Sequence, residues 1–506
     1  MMESRSEVLF RGRCLGQLWF FSIMAAWGMY LELYTYFAEY KVLRADDDDN
    51  AVALTTYFSM IYSASQFLGS PIMGWLSDTK LGRKKILLTG IIVNTLGFPT
   101  MAAFPRVRIY LLLAVAMGFL DATTAVVKAT VTDFGDGDTE GIAGSSRDHI
   151  LARFCYFLIG KGTSTSSATR LTTELAVLHA HSGLGMISGL FLGELLYQFA
   201  GLRLAIACAG LILLPVLFAV IFKFPQPSEF DSFGIDNDSQ GKANLITTSY
   251  QHKDKEEEAM TMKTNINTSA FFWQPALPNK RKFPFCLIVF AYVLVMFGIG
   301  GLSSVILYYA EDRAGLGSID IALLILEAVL VTPLTAFLAL RIIMPSLGLT
   351  RTNAFLTAAS AAGSICVGLV PRHSIVLLII FLTLFFVGYA TFPLANGHLA
   401  SQIPISSQGR FQGQLYALTV AFTLSGQELA LKLYDYEPRA PFISTAIAGF
   451  TSSILFIIAG EIVSSITHDS DDDLYEGEED EEQQHRKLLS DTSKNYLLDD
   501  RPNPTT

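Results

Sequence analysis

Residues 284–310 read PFCLIVFAYVLVMFGIGGLSSVILYYA, without a single Asp, Glu, Lys or Arg. About 20 apolar residues suffice to cross a hydrocarbon core of about 30 Å as an α-helix. In lipid every backbone amide must find its partner within the protein, which a helix achieves inside one segment. The two-residue alternation of a membrane barrel strand is not present in this run. The run therefore reads as one transmembrane helix, with Lys280, Arg281 and Lys282 immediately ahead of it.

The same reading repeats along the chain. Of 506 residues, 51% are hydrophobic and only 16% charged, against roughly 25% charged in a soluble domain. The mean hydropathy is +0.41. The apolar stretches fall near 17–38, 52–76, 86–104, 109–131, 175–199 and 203–224, and then near 284–310, 318–341, 353–371, 374–396, 412–433 and 442–466. The expected architecture is an all-α membrane protein with twelve transmembrane helices in two six-helix halves. Its expected divisions are a cytoplasmic amino terminus (1–16), a first bundle (17–224), a polar cytoplasmic linker (225–283), a second bundle (284–466) and an acidic cytoplasmic tail (467–506).

Charge sets the orientation. Basic residues collect on the cytoplasmic side of membrane proteins. Arg5, Arg11 and Arg13 precede the first span, and Lys80, Arg83, Lys84 and Lys85 lie between the second and third. With Lys280 to Lys282, they share one side if the spans number twelve. Asp46 to Asp49 fall on the other. Both termini are then cytoplasmic, and the sequons at Asn237 and Asn267 are not glycosylated. The net charge of −10 is matched by the ten acids between Asp469 and Glu482, a run that reads as a solvated tail. Leu488-Leu489 after it suggests endolysosomal sorting, with the plasma membrane as the alternative. No nucleic-acid signature is present. The five scattered cysteines read as small hydrophobes rather than a disulfide framework.

Between the second and third spans the chain reads Gly74-Trp-Leu-Ser-Asp78-Thr-Lys-Leu-Gly82-Arg83-Lys84-Lys85. Gly74 permits close helix approach, Asp78 suits the positive end of a neighbouring helix, and Gly82 permits a tight turn. This segment resembles the signature loop of the major facilitator superfamily. The resemblance implies a cytoplasmic gate in which Arg83 pairs with an acid at the inner end of the fourth span, a position Asp133 occupies. Gln408-Gly409-Arg-Phe-Gln412-Gly413, with Tyr389-Ala-Thr-Phe-Pro393 before it, is similar to segments of tetracycline/proton antiporters and of hippocampus-abundant-transcript-like carriers. The resemblance implies spans 1, 4, 7 and 10 around a central passage and spans 2, 5, 8 and 11 as gates. The chain departs from that pattern where Gly185, Gly189 and Gly193 run without a proline and where Gly426 is followed by Gln427.

An ionised group at the bilayer centre costs about 2.5–3.5 kcal/mol even on lenient scales, so intramembrane charges mark partners or pathways. The candidates for a substrate or proton pathway are Glu32, Asp121, Lys128, Glu194, Glu327 and Glu428. Asp121 and Lys128 lie two turns apart on one helix, about 10 Å along its axis, placed to bracket a solute. Lys128 could instead snorkel to the interface. Glu428 and Lys432 have the spacing of an intrahelical pair. His179 and His181 are candidate proton relays or plain surface histidines; Gln66, Asn94, Asn396, His398, Tyr308 and Tyr309 complete the set. No catalytic nucleophile, metal-ligand spacing or Gly-x4-Gly-Lys phosphate loop stands out. No enzyme activity, cofactor or metal is expected. The reading is a secondary transporter of a small solute working in the lipid bilayer, with protons as the candidate coupling ion. The alternatives are a gradient-independent facilitator of a sugar or metabolite and a carrier-shaped receptor or adaptor.

Overall fold

The computed structural model describes residues 5–37, 48–79, 81–121, 123–135, 167–225, 279–310, 315, 318–371 and 374–466. Residues 226–278 of the expected linker, the acidic tail, the loop carrying Asp46 and Asp47, and Lys80 lie outside the described residues, whereas 279–283, expected in the linker, already belong to the Asn279–Tyr309 helix. Among the described residues the chain is helical and contains no strand. Helices cover each of the apolar stretches: Arg5–Phe37, Asp48–Ser77, Gly82–Ala103, Val107–Asp121 with Thr123–Gly135, Ser167–Ala200, and Leu202–Leu211 with Leu214–Lys223. After the linker come Asn279–Tyr309, Ser318–Leu338, Leu349–Gly368, Ile375–Phe386 with Thr391–Ala400, Gln408–Tyr436 and Ala440–Ile466. Eight of these runs are long and apolar enough to cross a membrane by length and composition.

The breaks inside helices have local causes. Proline supplies no N–H and clashes with the preceding turn. Ahead of Pro345 the ladder widens to a π segment at Ala339–Ile343, and at Pro393 it follows a tightened 3-10 stretch, Val387–Ala390. Pro215 begins Leu214–Lys223 after the turn at residues 212–213, where its missing donor has no cost.

Outward faces carry large apolar side chains such as Phe191, Phe199, Phe222 and Val376, all exposed. In water such a surface would associate; against lipid it is solvated. For the same reason burying a leucine between membrane helices gains little, and association rests on close packing and interhelical hydrogen bonds. Hydroxyls supply these in the second set of helices. Ser452 Oγ donates to the Ala291 carbonyl at 2.8 Å, Ser453 Oγ to Ala354 at 2.8 Å and Ser364 Oγ to Phe442 at 2.9 Å. Bonds of this kind contribute about 0.6 kcal/mol each.

One core cluster runs through residues 19–224, centred on Trp19, Tyr30, Phe98 and Tyr110. Two more lie within residues 285–459. A fourth cluster joins the two regions, packing Ala176 of the Ser167–Ala200 helix against Ala336, Ala339, Ala390 and Leu394.

Candidate functional site

Two charge clusters stand out, one where the Asp48–Ser77 helix ends and one inside the bundle. Gly82 begins the third helix at φ 74°, a left-handed conformation that glycine adopts without strain. The turn returns Arg83 beneath Asp78. Arg83 Nη1 donates to Asp78 Oδ1 at 2.6 Å and to Ser77 Oγ at 2.7 Å. Its Nε donates to Asp133 Oδ2 at 2.7 Å, and Nη2 to Asp133 Oδ1 at 3.3 Å. The guanidinium fork thus holds two carboxylates at once, a geometry lysine cannot reproduce. Lys84 Nζ donates to the Phe224 carbonyl at 3.1 Å, at the end of the Leu214–Lys223 helix.

Asp78 has a second task. Its Oδ1 accepts the Gly409 backbone N–H at 2.9 Å and its Oδ2 the Arg410 N–H at 2.6 Å. These are first-turn donors of Gln408–Tyr436, which have no partner inside their own helix. The carboxylate also faces the positive end of that helix. Gly74 and Gly413 make the approach possible. A Cβ on Gly74 would collide with the Gly409 carbonyl oxygen, and one on Gly413 with that of Ser70. Gln412 Nε2 donates to Asn396 Oδ1 at 2.9 Å, linking this helix to Thr391–Ala400.

Inside the bundle, Asp121 is 3% exposed. Its Oδ2 accepts the Tyr62 hydroxyl at 2.5 Å and Trp27 Nε1 at 3.2 Å, and its Oδ1 accepts Asn94 Nδ2 at 3.1 Å. All three donors are neutral, and no Lys, Arg or His among the described residues forms a salt bridge with it. Lys128 is 2% exposed. Its Nζ lies 4.6 Å from the centroid of the Phe392 ring and 5.4 Å from that of Tyr416. It reaches across to helices beyond the linker and does not snorkel. His179 meets the other edge of Phe392, ring centroids 4.8 Å apart. Its Nδ1 is 2.7 Å from the Leu175 carbonyl oxygen.

The remaining candidates lie elsewhere. Glu194 accepts Gln198 Nε2 at 2.7 Å near the surface. Glu327 accepts the Thr383 hydroxyl. Glu428 and Lys432 pair with each other at 2.8 Å, both largely exposed. His181 Nδ1 is 2.8 Å from the Val177 carbonyl oxygen, and His398 Nε2 lies 3.2 Å from Gln402. Tyr309 is buried and donates to the Val367 carbonyl at 3.1 Å, whereas Tyr308 is exposed. The side chain of Glu32 lies outside the described residues. Sequence reasoning passed over Trp27 and Tyr62 around Asp121, Phe392 and Tyr416 around Lys128, and the buried pair Arg13–Glu174 at 2.7 Å. Aromatic residues in apolar helices give no sequence signal of this kind. Arg13 and Glu174 stand in distant, separately read segments.

A family model described as Major Facilitator Superfamily matches residues 163–427. A second, Sugar (and other) transporter, matches residues 12–127. The chain belongs to the Major Facilitator Superfamily, and its class is that of multi-pass membrane transport proteins rather than enzymes. A stretch of 78 residues is 35% identical to the tetracycline resistance protein, class C, of Escherichia coli. That match spans 15% of this chain and 19% of the relative. Among solved structures, the fold is similar to the human organic anion transporter MFSD10 (TETRAN), at 15% identity and a TM-score of 0.64. The likeness covers 90% of this chain and 100% of that one. A bacterial homologue of the iron transporter ferroportin, in an outward-facing state, is similar at 15% identity and a TM-score of 0.55, over 90% of this chain and 99% of that one. At these identities the likeness concerns the fold.

Proposed function

We propose that this protein is a secondary carrier that moves a small solute across the bilayer by alternating access, with the two six-helix halves on either side of the linker rocking about a central site. The Asp78–Arg83–Asp133 cluster is its cytoplasmic gate, and both termini are cytoplasmic. One observation carries this reading: the Asp78 carboxylate bonds Arg83 on its own side and the Gly409 and Arg410 amides on the other. A single side chain thereby ties the closing of that face to contact between the halves. Breaking it frees two helix-end donors, an acid and a base together, so the closed arrangement ends cooperatively.

Asp121 is the proposed proton-carrying group. A buried carboxylate among neutral donors retains a net charge, which a proton removes without moving the side chain. The resemblance of Gln408 to Gly413 to tetracycline/proton antiporters, together with the match to part of a tetracycline resistance protein, supports drug/proton antiport as the preferred reading, with gradient-independent facilitation as the alternative.

The test is Asp78→Ala in proteoliposomes. Hydrogen bonds to a charged group contribute about 1.5–3 kcal/mol each, so the closed state is weakened while the fold is spared. Solute flux should drop several-fold with the protein still inserted and monodisperse. Wild-type flux in the variant would remove the gate assignment.

A further inference from the structure

Among the described residues, Lys128 is a cation without an anion. It is 2% exposed, and no carboxylate among the described residues lies within ion-pair distance of it. The two acids on its own span are committed elsewhere. Asp121 is held by Trp27, Tyr62 and Asn94, and Asp133 by Arg83. An ammonium has three hydrogens to donate and accepts none. The faces of Phe392 and Tyr416 compensate its charge in part; such contacts contribute at most about 2 kcal/mol when desolvated and offer no lone pair. A buried charge this poorly matched is normally removed or paired.

A second unmatched group lies beside it. His179 Nε2 is buried without a hydrogen-bond partner, while Nδ1 faces the Leu175 carbonyl oxygen. Nδ1 therefore carries the hydrogen, and Nε2 presents a lone pair. The Phe392 ring that supports Lys128 also meets the His179 ring and packs on Tyr292 at 5.4 Å. The helices contributing these groups come from both sides of the linker. Lys128 and Asp133 are five positions apart on one helix, about 7.5 Å along its axis.

We propose that Lys128, flanked by Phe392 and Tyr416, is the recognition site for an organic anion whose carboxylate takes the ammonium hydrogens, turned away from the His179 Nε2 lone pair, and whose apolar body lies on the rings. This deepens the transport reading by naming the class of solute and rests on it for the role of the site. It does not rest on the gate. An anion seated there supplies the missing charge and touches helices from both sides of the linker.

The experiment reads binding rather than flux. Purified full-length protein in detergent is titrated with acetate, benzoate and 1-naphthoate, each against its uncharged amide, and the Tm is followed. A saturable rise is expected for the carboxylates, growing from acetate to 1-naphthoate and absent for the amides. Lys128→Arg should keep the shift. Lys128→Gln should lose it while raising the Tm of the unliganded protein, because an uncompensated charge is gone; a merely structural lysine would lower it. If Lys128→Gln does not purify, Phe392→Leu decides, with a weaker shift for 1-naphthoate at retained charge. No saturable shift in the wild type, equal shifts from the amides, an undiminished shift in Lys128→Gln, or an unchanged one in Phe392→Leu each overturns the proposal. Carboxylate binding without flux would leave this site standing and remove the transport reading; flux without carboxylate preference would do the reverse.

Discussion

The charges at the end of the Asp48–Ser77 helix and those within the Val107–Asp133 span differ in how they are paired. At the first, Arg83 meets Asp78 and Asp133, and Asp78 also meets two backbone amides. At the second, among the described residues, Asp121 meets neutral donors and Lys128 aromatic rings. Arg83, Asp78, Asp121 and Lys128 are all largely buried, so burial alone does not explain the contrast. A cluster whose charges satisfy one another defines a conformational state, because it exists only when its members are together. Charges that lack counter-ions among the described residues are, in our proposal, completed by something that arrives: a proton at Asp121 and an anion at Lys128.

The largest expected effect breaks the paired side of the comparison. Arg83→Met leaves two carboxylates facing each other at a low-dielectric position. Removing one partner of a buried pair typically costs about 3–5 kcal/mol, so flux into proteoliposomes should fall by well over tenfold, with a lower Tm. Arg83→Lys should recover only part of it, since an ammonium cannot span both acids as the fork does. Full activity in either variant would show that the cluster is not needed to close this face.

Asp121→Asn tests the unpaired side. It preserves shape and removes the charge that Tyr62, Trp27 and Asn94 surround. Accumulation driven by an imposed pH difference should vanish, while solute exchange at equal pH continues. Retained pH-driven accumulation would take the proton away from this residue.

Gly413→Val acts on packing alone. Its side chain would meet the Ser70 carbonyl where the two helices touch, so the closed arrangement should be depopulated. Spin labels at the ends of the Asp48–Ser77 and Gln408–Tyr436 helices should report a longer distance than in the wild type. An unchanged distance distribution would mean that closure does not depend on this contact.

The smallest effect is expected at Glu428 and Lys432, whose side chains are 61% and 71% exposed. Exposed pairs contribute at most about 1 kcal/mol. The double variant Glu428→Gln/Lys432→Met should leave the Tm unchanged and the flux within a factor of two. A large loss would make this pair a third functional cluster.

Much of this was legible in the amino-acid order. The charge deficit, the length of the apolar runs and the Gly74 to Lys85 segment are local properties, and partition between lipid and water acts on each segment separately. The helical class follows from such terms, and the structure places helices on all the apolar stretches; the superfamily was suggested by the resemblance of the Gly74 to Lys85 segment and is shown by the family model. The gate candidates Asp78, Arg83 and Asp133 came from the resemblance of the Gly74 to Lys85 segment, whereas Asp121 and Lys128 were visible as charges, because an ionised group among apolar helices is rare for an energetic reason.

Apart from Arg83–Asp133, which the resemblance implied, and Glu428–Lys432, which their spacing suggested, which charge meets which partner was decided only by the tertiary structure. Asp121 meets Asn94, Tyr62 and Trp27 across separations of 27, 59 and 94 residues, and Asp78 meets Gly409 across 331. No periodicity or spacing encodes such contacts. They depend on how rigid helices dock, and in lipid that docking is settled by glycine clearances and a few hydrogen bonds rather than by hydrophobicity, the one quantity a sequence displays openly.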